Sequence, residues 1–118
     1  MKRSNAPIFW SLFGAGGVLS ALCGPILVLI IGIAVPLGIS LPPQALGYAR
    51  MSAFVHTLFG KAFLFAIISL FLWHAAHRIY HCLHDVGVHP GLATKIVLYG
   101  SAAAGTASAA WLMLAIGR

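Results

Sequence analysis

Four histidines fall within the eleven residues 74–84, in a stretch reading Trp-His-Ala-Ala-His-Arg-Ile-Tyr-His-Cys-Leu-His-Asp over 73–85. Groups of these types at this density can bind a metal, ligate a haem, or offer hydrogen-bond donors and proton relays to a polar ligand or partner. On a helix turning about 100° per residue, His74, His77, Arg78, His81, His84 and Asp85 share an arc of about 120°, while Ala76, Ile79, Cys82 and Leu83 point elsewhere. The spacing therefore predicts an amphipathic helix end with one polar face. A metal site draws little support: His at i and i+3 or i+4 can share an ion, but Asp85 is the only acidic partner, and Cys23 and Cys82 have no metal-ligand spacing. No metal ligand is assigned. Bis-His haem needs a histidine at membrane depth on each of two helices, and the two near span ends, His56 and His74, belong to the same apolar stretch, so no haem is expected in this chain.

Two readings remain for the polar face. The plainer one is a docking surface for a soluble partner or for lipid headgroups. The sharper one is part of a quinone pocket, which needs apolar walls and donors to two carbonyl oxygens close to the aqueous boundary. Trp10 and Arg78 carry such donors near span ends on one side of the membrane, Phe9 and Phe13 offer apolar wall, and neighbouring histidines can relay protons near neutral pH. Trp10 is equally suited to an ordinary interfacial aromatic belt, so the residues alone leave both readings open.

The elements that must position these groups are set by hydropathy. Of 118 residues 61% are hydrophobic and 7% charged, against about a quarter charged in soluble domains. Crossing about 30 Å of hydrocarbon takes about 20 apolar residues in helix. Three stretches qualify, at 9–37, 53–75 and 93–116, with breaks at 38–50, where Pro42 and Pro43 lie, and at 86–91, which reads Val-Gly-Val-His-Pro-Gly. The expected fold class is all-α: one integral membrane domain over 1–118, a three-helix transmembrane anchor. A helix running from 53 to 85 would be about 50 Å long, so its His-rich end, 74–85, is expected to project to the membrane surface. The apolar run from Phe9 continues to Leu37 without a cleavage site, and the first segment is expected to stay attached.

Within the spans, Gly16, Ser20 and Gly24 recur every fourth residue, as do Ser101, Gly105 and Ala109, the pattern that lets membrane helices approach closely. Gly24 and Pro25 predict a tilt or kink in the first span. Lys61, eight residues into the second span, is expected to snorkel to the headgroups, and the two cysteines are read as small apolar residues. The net charge of +6 comes from seven Lys and Arg spread along the chain, which fits membrane flanks and not nucleic acid. Lys2, Arg3, Arg78 and Lys95 lie on one side against Arg50, Lys61 and Arg118 on the other, so the positive-inside rule predicts a cytoplasmic amino terminus. Asp85 is the single carboxylate side chain, which excludes paired-carboxylate chemistry; no catalytic residue is assigned, and the chain is not expected to be an enzyme by itself. It also weighs against a small multidrug or ion transporter, which couples its cargo to a carboxylate inside a span. A purely structural anchor that touches no quinone remains a second alternative.

Two motifs carry a resemblance to a known family: Pro-Ile-Phe-Trp-Ser-Leu-Phe-Gly-Ala-Gly-Gly at 7–17, and the pattern Leu-Trp-x-x-x-His-Arg-x-x-His-x-x-His-Asp at 72–85. The chain resembles the D subunit of bacterial fumarate reductase through all three spans. The resemblance implies one of two small anchors, the other being the C subunit, that hold a flavoprotein carrying FAD and an iron-sulfur subunit on the cytoplasmic face of the inner membrane. It implies that menaquinol oxidised at a site shared with those partners supplies the electrons for fumarate reduction in anaerobic respiration. Matched position by position, Trp10 and Arg78 fall at the quinone site, with Phe13, His77 and His81 as extensions. His74 is not part of the family pattern.

Overall fold

The computed structural model describes residues 4–117, so Lys2, Arg3 and Arg118 of the charge balance lie outside the described residues. Helix α1 spans Ala6–Leu37. Pro7 sits in its first turn, where a missing N–H costs nothing, and the Ser4 hydroxyl accepts the Ala6 N–H at 3.2 Å. Pro25 lies inside the helix and does not end it. The irregular turn comes later, as a π-helical stretch at Ile30–Ala34. Pro36 has no N–H for the Gly32 carbonyl, and one wide turn lets the ladder pass that gap. Gly38, at φ +65°, closes the helix: the Ile39 N–H reaches the Ala34 carbonyl at 2.9 Å and the Gly38 N–H reaches Val35 at 3.2 Å. That is a Schellman cap.

A short helix, α2 (Tyr48–His56), precedes the second long one. Hydropathy predicts one continuous helix from 53 to 85, but the chain turns out of helix at Thr57, with φ −79° and ψ 148°. The Thr57 hydroxyl donates to the Phe54 carbonyl at 2.7 Å and accepts the Gly60 N–H at 2.9 Å. This local bonding competes with the helical ladder and caps the next helix. A side chain at position 60 would drive its Cβ into the Phe54 carbonyl oxygen, so the break requires glycine there. Helix α3 then spans Leu58–Asp85 and α4 spans Leu92–Ala115, joined by a turn in which Gly87 has φ +81°. At 28 residues α3 is about 42 Å long, about eight residues more than are needed to cross the hydrocarbon.

α3 is the central helix, and α1 and α4 each pack on it. Both packings are antiparallel: Phe13 near the start of α1 meets His74 and His77 near the end of α3, and Lys61 near the start of α3 meets Ile116 just past α4. The amino-terminal end of α1 and the α3–α4 turn therefore share one end of the bundle.

Close approach explains the pairing. The buried residues among those described are Gly16, Gly60, Ala76, Ala102 and Ala109, all glycine or alanine. A Cβ on Gly16 would lie 2.8 Å from the Leu70 carbonyl oxygen, and one on Gly105 would lie 2.7 Å from Leu72 Cδ1. Small residues here substitute for a hydrophobic core, since lipid gives apolar side chains no reason to hide. The expected stripes are only partly used. On α4 the contact face runs through Ala102, Gly105, Thr106 and Ala109, while Ser101 is exposed and bonds its own Val97 carbonyl at 2.6 Å. On α1 a Cβ at Gly24 would meet nothing within 4 Å.

The accessible surface is 8638 Å², where a compact globular chain of this mass would expose about 6,100 Å². Much of it is apolar bulk: Phe9, Trp10, Ile96 and Trp111 are 69%, 70%, 62% and 70% exposed. Such a surface needs lipid or other helices against it. Three helices long and apolar enough to cross a membrane, with no strand among the described residues, make this an all-α integral membrane architecture.

Candidate functional site

The sequence-predicted residues gather at the end of the bundle shared by the start of α1, the end of α3 and the start of α4. Phe13 is the joint between the two sequence motifs. Its ring stacks on His74 at 4.7 Å between centroids and 20° between planes, and meets His77 edge-on at 4.5 Å. Trp10, one turn earlier on α1, packs edge-on against Phe13 at 6.2 Å. His81 continues the row on α3, 4.3 Å from His77 between ring centroids. Trp10, Phe13, His77 and His81 thus form one unbroken wall of rings.

Arg78 flanks this wall as an exposed residue on α3. The side-chain hydrogen bonds among the described residues engage Trp73, His74, His77 and His84 in this region, and leave the Trp10 indole N–H and the Arg78 guanidinium without a partner. The polar arc therefore divides. His74 and His77 are half-buried between helices, whereas Arg78, His81, His84 and Asp85 are exposed. Among the described residues no three His, Cys, Asp or Glu side chains converge as metal ligands.

His74 has a packing role. Its Nδ1–H donates to the Phe13 carbonyl at 3.3 Å, since a carbonyl can only accept, and its ring lies over the bare flank of Gly17, where a Cβ would come within 3.0 Å of Cε1. His74 joins α1 to α3 beneath the wall.

Three aromatic residues join the site that sequence reasoning does not single out. The Tyr99 hydroxyl lies 2.8 Å from His77 Nδ1, and the Trp73 indole N–H donates to Thr106 at 3.1 Å, tying α3 to α4. Tyr80 packs 5.9 Å from Tyr99 and 5.1 Å from His84 between ring centroids. One signal points to Tyr99 in retrospect. It is the eighth residue of α4 and His77 the ninth from the end of α3, so antiparallel helices joined by a short turn bring them to the same depth.

Two concavities of the chain lie elsewhere. One of about 540 Å³ lies on the outer face of α4 at Ala107, Ser108, Trp111 and Leu112, and one of about 300 Å³ lies at the opposite end among Tyr48, Met51, Ser52, Val55, His56 and Ile116. The ring wall is an open surface, not an enclosed pocket. At that opposite end Lys61 is half-buried, and its Nζ donates to the Ile116 carbonyl, one residue past α4. A cation at the carboxyl end of α4 satisfies a carbonyl that the helix leaves unpaired and complements the helix dipole.

Comparison with known proteins agrees with the two motifs. The sequence model of the fumarate reductase D-subunit family matches residues 1–114. The chain is 44% identical over 105 residues to the fumarate reductase D subunit of Aliivibrio salmonicida, covering 89% of this chain and 87% of the relative. It is 46% identical over 101 residues to that of Vibrio cholerae, covering 86% and 77%, and 45% identical over 102 residues to that of a Shewanella species, covering 86% and 84%. A match of that length, running through all three membrane helices and the ring wall between them, establishes that the chain belongs to the fumarate reductase D-subunit family.

Proposed function

We propose that this chain is a non-catalytic membrane anchor of a quinol:fumarate reductase of the bacterial inner membrane, holding the flavoprotein and iron-sulfur subunits to the bilayer together with a second small anchor, the C subunit. We further propose that Trp10, Phe13, Arg78, His77 and His81 supply this chain's part of the menaquinol site. The observation that carries the reading is the meeting of Phe13 with His77, through which the motifs at 7–17 and 72–85 form one wall near the membrane boundary.

The residues suit a quinone in kind. Phe13 and Trp10 give flat apolar surface; the Trp10 indole N–H and the Arg78 guanidinium, both without a partner among the described residues, are donors for ring oxygens; His77 adds a ring nitrogen that can bond the ligand, and the exposed His81 beside it can pass protons toward the aqueous edge. Menaquinol, when bound, supplies two electrons and two protons, and FAD and the iron-sulfur clusters that take the electrons belong to the partner subunits. Because the wall is open on one side, the second anchor and the iron-sulfur subunit complete the site. With the amino terminus cytoplasmic, the wall faces the side on which the soluble subunits dock. A transporter reading has no support from Asp85, which is the last residue of α3 and exposed.

The test compares two electron donors in the assembled complex carrying Trp10→Leu or Arg78→Leu. Quinol-linked fumarate reduction should fall at least tenfold, while turnover with a soluble reduced dye, which bypasses the membrane site, should stay within twofold. Equal losses with both donors, or none, would leave a purely structural anchor.

A further inference from the structure

We infer that Tyr99 is a positioning residue that fixes the tautomer of His77, so that the His77 Nε2–H is the atom presented to the quinone. This inference rests on the quinone reading of the ring wall.

The contact joins two helices: Tyr99 on α4 and His77 on α3 are both half-buried, with 2.8 Å between the hydroxyl and Nδ1. Neutral imidazole has one donor and one acceptor nitrogen, and the partner of one nitrogen decides the role of the other. The Tyr99 hydroxyl has a single proton, and among the described residues its hydrogen-bond partner is His77. Donating that proton to Nδ1 satisfies it; accepting from Nδ1 would leave a half-buried O–H without an acceptor, the costlier arrangement. Nδ1 is then the acceptor, and the ring proton sits on Nε2.

The ring's orientation is fixed from several sides. Phe13 meets His77 edge-on at 4.5 Å, His81 lies 4.3 Å away, and Tyr99 is itself packed by Trp73 at 6.2 Å and Tyr80 at 5.9 Å. The Trp73–Thr106 bond holds the same pair of helices deeper, about one turn along α3 and two along α4. Tyr99 touches none of the wall's donors except His77, so its effect on quinol passes through that ring. Nε2–H is a donor to a ring oxygen in both the oxidised and the reduced ligand, which suits a group that must hold the ring in place through turnover.

The experiment is a double-substitution cycle in the assembled complex with His77→Gln, Tyr99→Phe and the pair, reading kcat and KM for quinol beside dye-linked turnover. Tyr99→Phe should lower quinol-linked kcat about three- to tenfold with dye-linked turnover unchanged. In a His77→Gln background the same substitution should cost less than a further 1.5-fold, because its route of action is gone. If His77→Gln lowers quinol turnover but Tyr99→Phe does not, or if the two losses multiply, Tyr99 does not act through His77 and the inference fails alone. If His77→Gln leaves quinol turnover intact, the role of His77 in the quinone reading fails with it. Should Tyr99→Phe impair assembly, the ring-nitrogen ¹⁵N shifts of His77 in the unsubstituted complex, assigned by their loss in His77→Gln, still decide: a single Nε2–H form supports the inference, and a mixture or the Nδ1–H form overturns it.

Discussion

His74 and Arg78 are four residues apart on the same polar arc, yet the fold gives them different work. His74 faces inward, stacked on Phe13 and bonded to its carbonyl, while Arg78 is exposed and without a partner among the described residues. Interhelical hydrogen bonds in membrane proteins are worth about 0.6 kcal/mol on average, and an aromatic pair adds about 0.5–1.5 kcal/mol. His74→Ala should therefore lower the stability of the complex in detergent by about 1 kcal/mol, seen as a lower unfolding midpoint, with quinol KM changed less than twofold. Arg78→Leu should do the reverse: an unchanged midpoint and impaired quinol turnover. Exchanged effects would mean that Arg78 packs between helices and His74 faces the ligand. Lys61 belongs with His74 as a residue that joins helices. Lys61→Met should loosen the carboxyl end of α4, read as faster amide exchange at 113–116, and leave the ring wall at the other end unaltered.

At the scale of elements, two glycines decide what the helices can do. Gly16 lets α1 lie against the α3 backbone, and a Cβ there would come 2.8 Å from Leu70 oxygen, which is backbone and cannot swing aside. Overpacking of this kind costs about 1–3 kcal/mol. Gly16→Leu should separate α1 from α3 and so part Phe13 from His77, lowering quinol-linked turnover and the yield of assembled complex together. Gly24→Ala, which adds its Cβ to open space in this chain, is the matched control and should cost little unless a partner helix lies on that flank. Gly60 closes the α2–α3 break. Gly60→Ala should disrupt it, because the new Cβ would fall closer to the Phe54 oxygen than any carbon can come, and helical periodicity of amide exchange running without interruption from 53 into α3 is the expected consequence. Both glycines are visible in the sequence as small residues, but only Gly16 falls in a recognised spacing. Gly60 carries no such mark, since its function depends on a turn that hydropathy does not register.

For the whole molecule, the exposed surface is the governing fact. A chain with five buried residues among those described, all glycine or alanine, has too little interior to hold its helices firmly in water, and its large side chains face outward for lipid and for partners. Expressed without the other subunits, it should enter the membrane yet resist extraction as a monodisperse species, and co-expression with the other subunits should restore a single peak on size exclusion. Topology is testable at the same scale. On the proposed orientation, with the amino terminus cytoplasmic, three antiparallel spans put the far end of α4 outside, so an alkaline phosphatase fused after it should be active, whereas activity from a fusion in the 86–91 turn would invert the proposal.

Span number, helical class and the grouping of Trp10, Phe13 and the histidines of 74–84 at one end were legible in the sequence. Each follows from transfer free energy and helical period, properties that residues carry along the chain regardless of what they later touch. The exposed state of Arg78 beside the half-buried His77, the turn at Thr57, the capping role of Lys61 and the Tyr99–His77 bond were decided only by the tertiary structure. These depend on how far each helix is rotated about its own axis and how it is registered against its neighbour. In a membrane that rotation is set by where backbones can come closest, here at Gly16 against Leu70 and Gly105 against Leu72, and no single helix specifies both sides of such a contact.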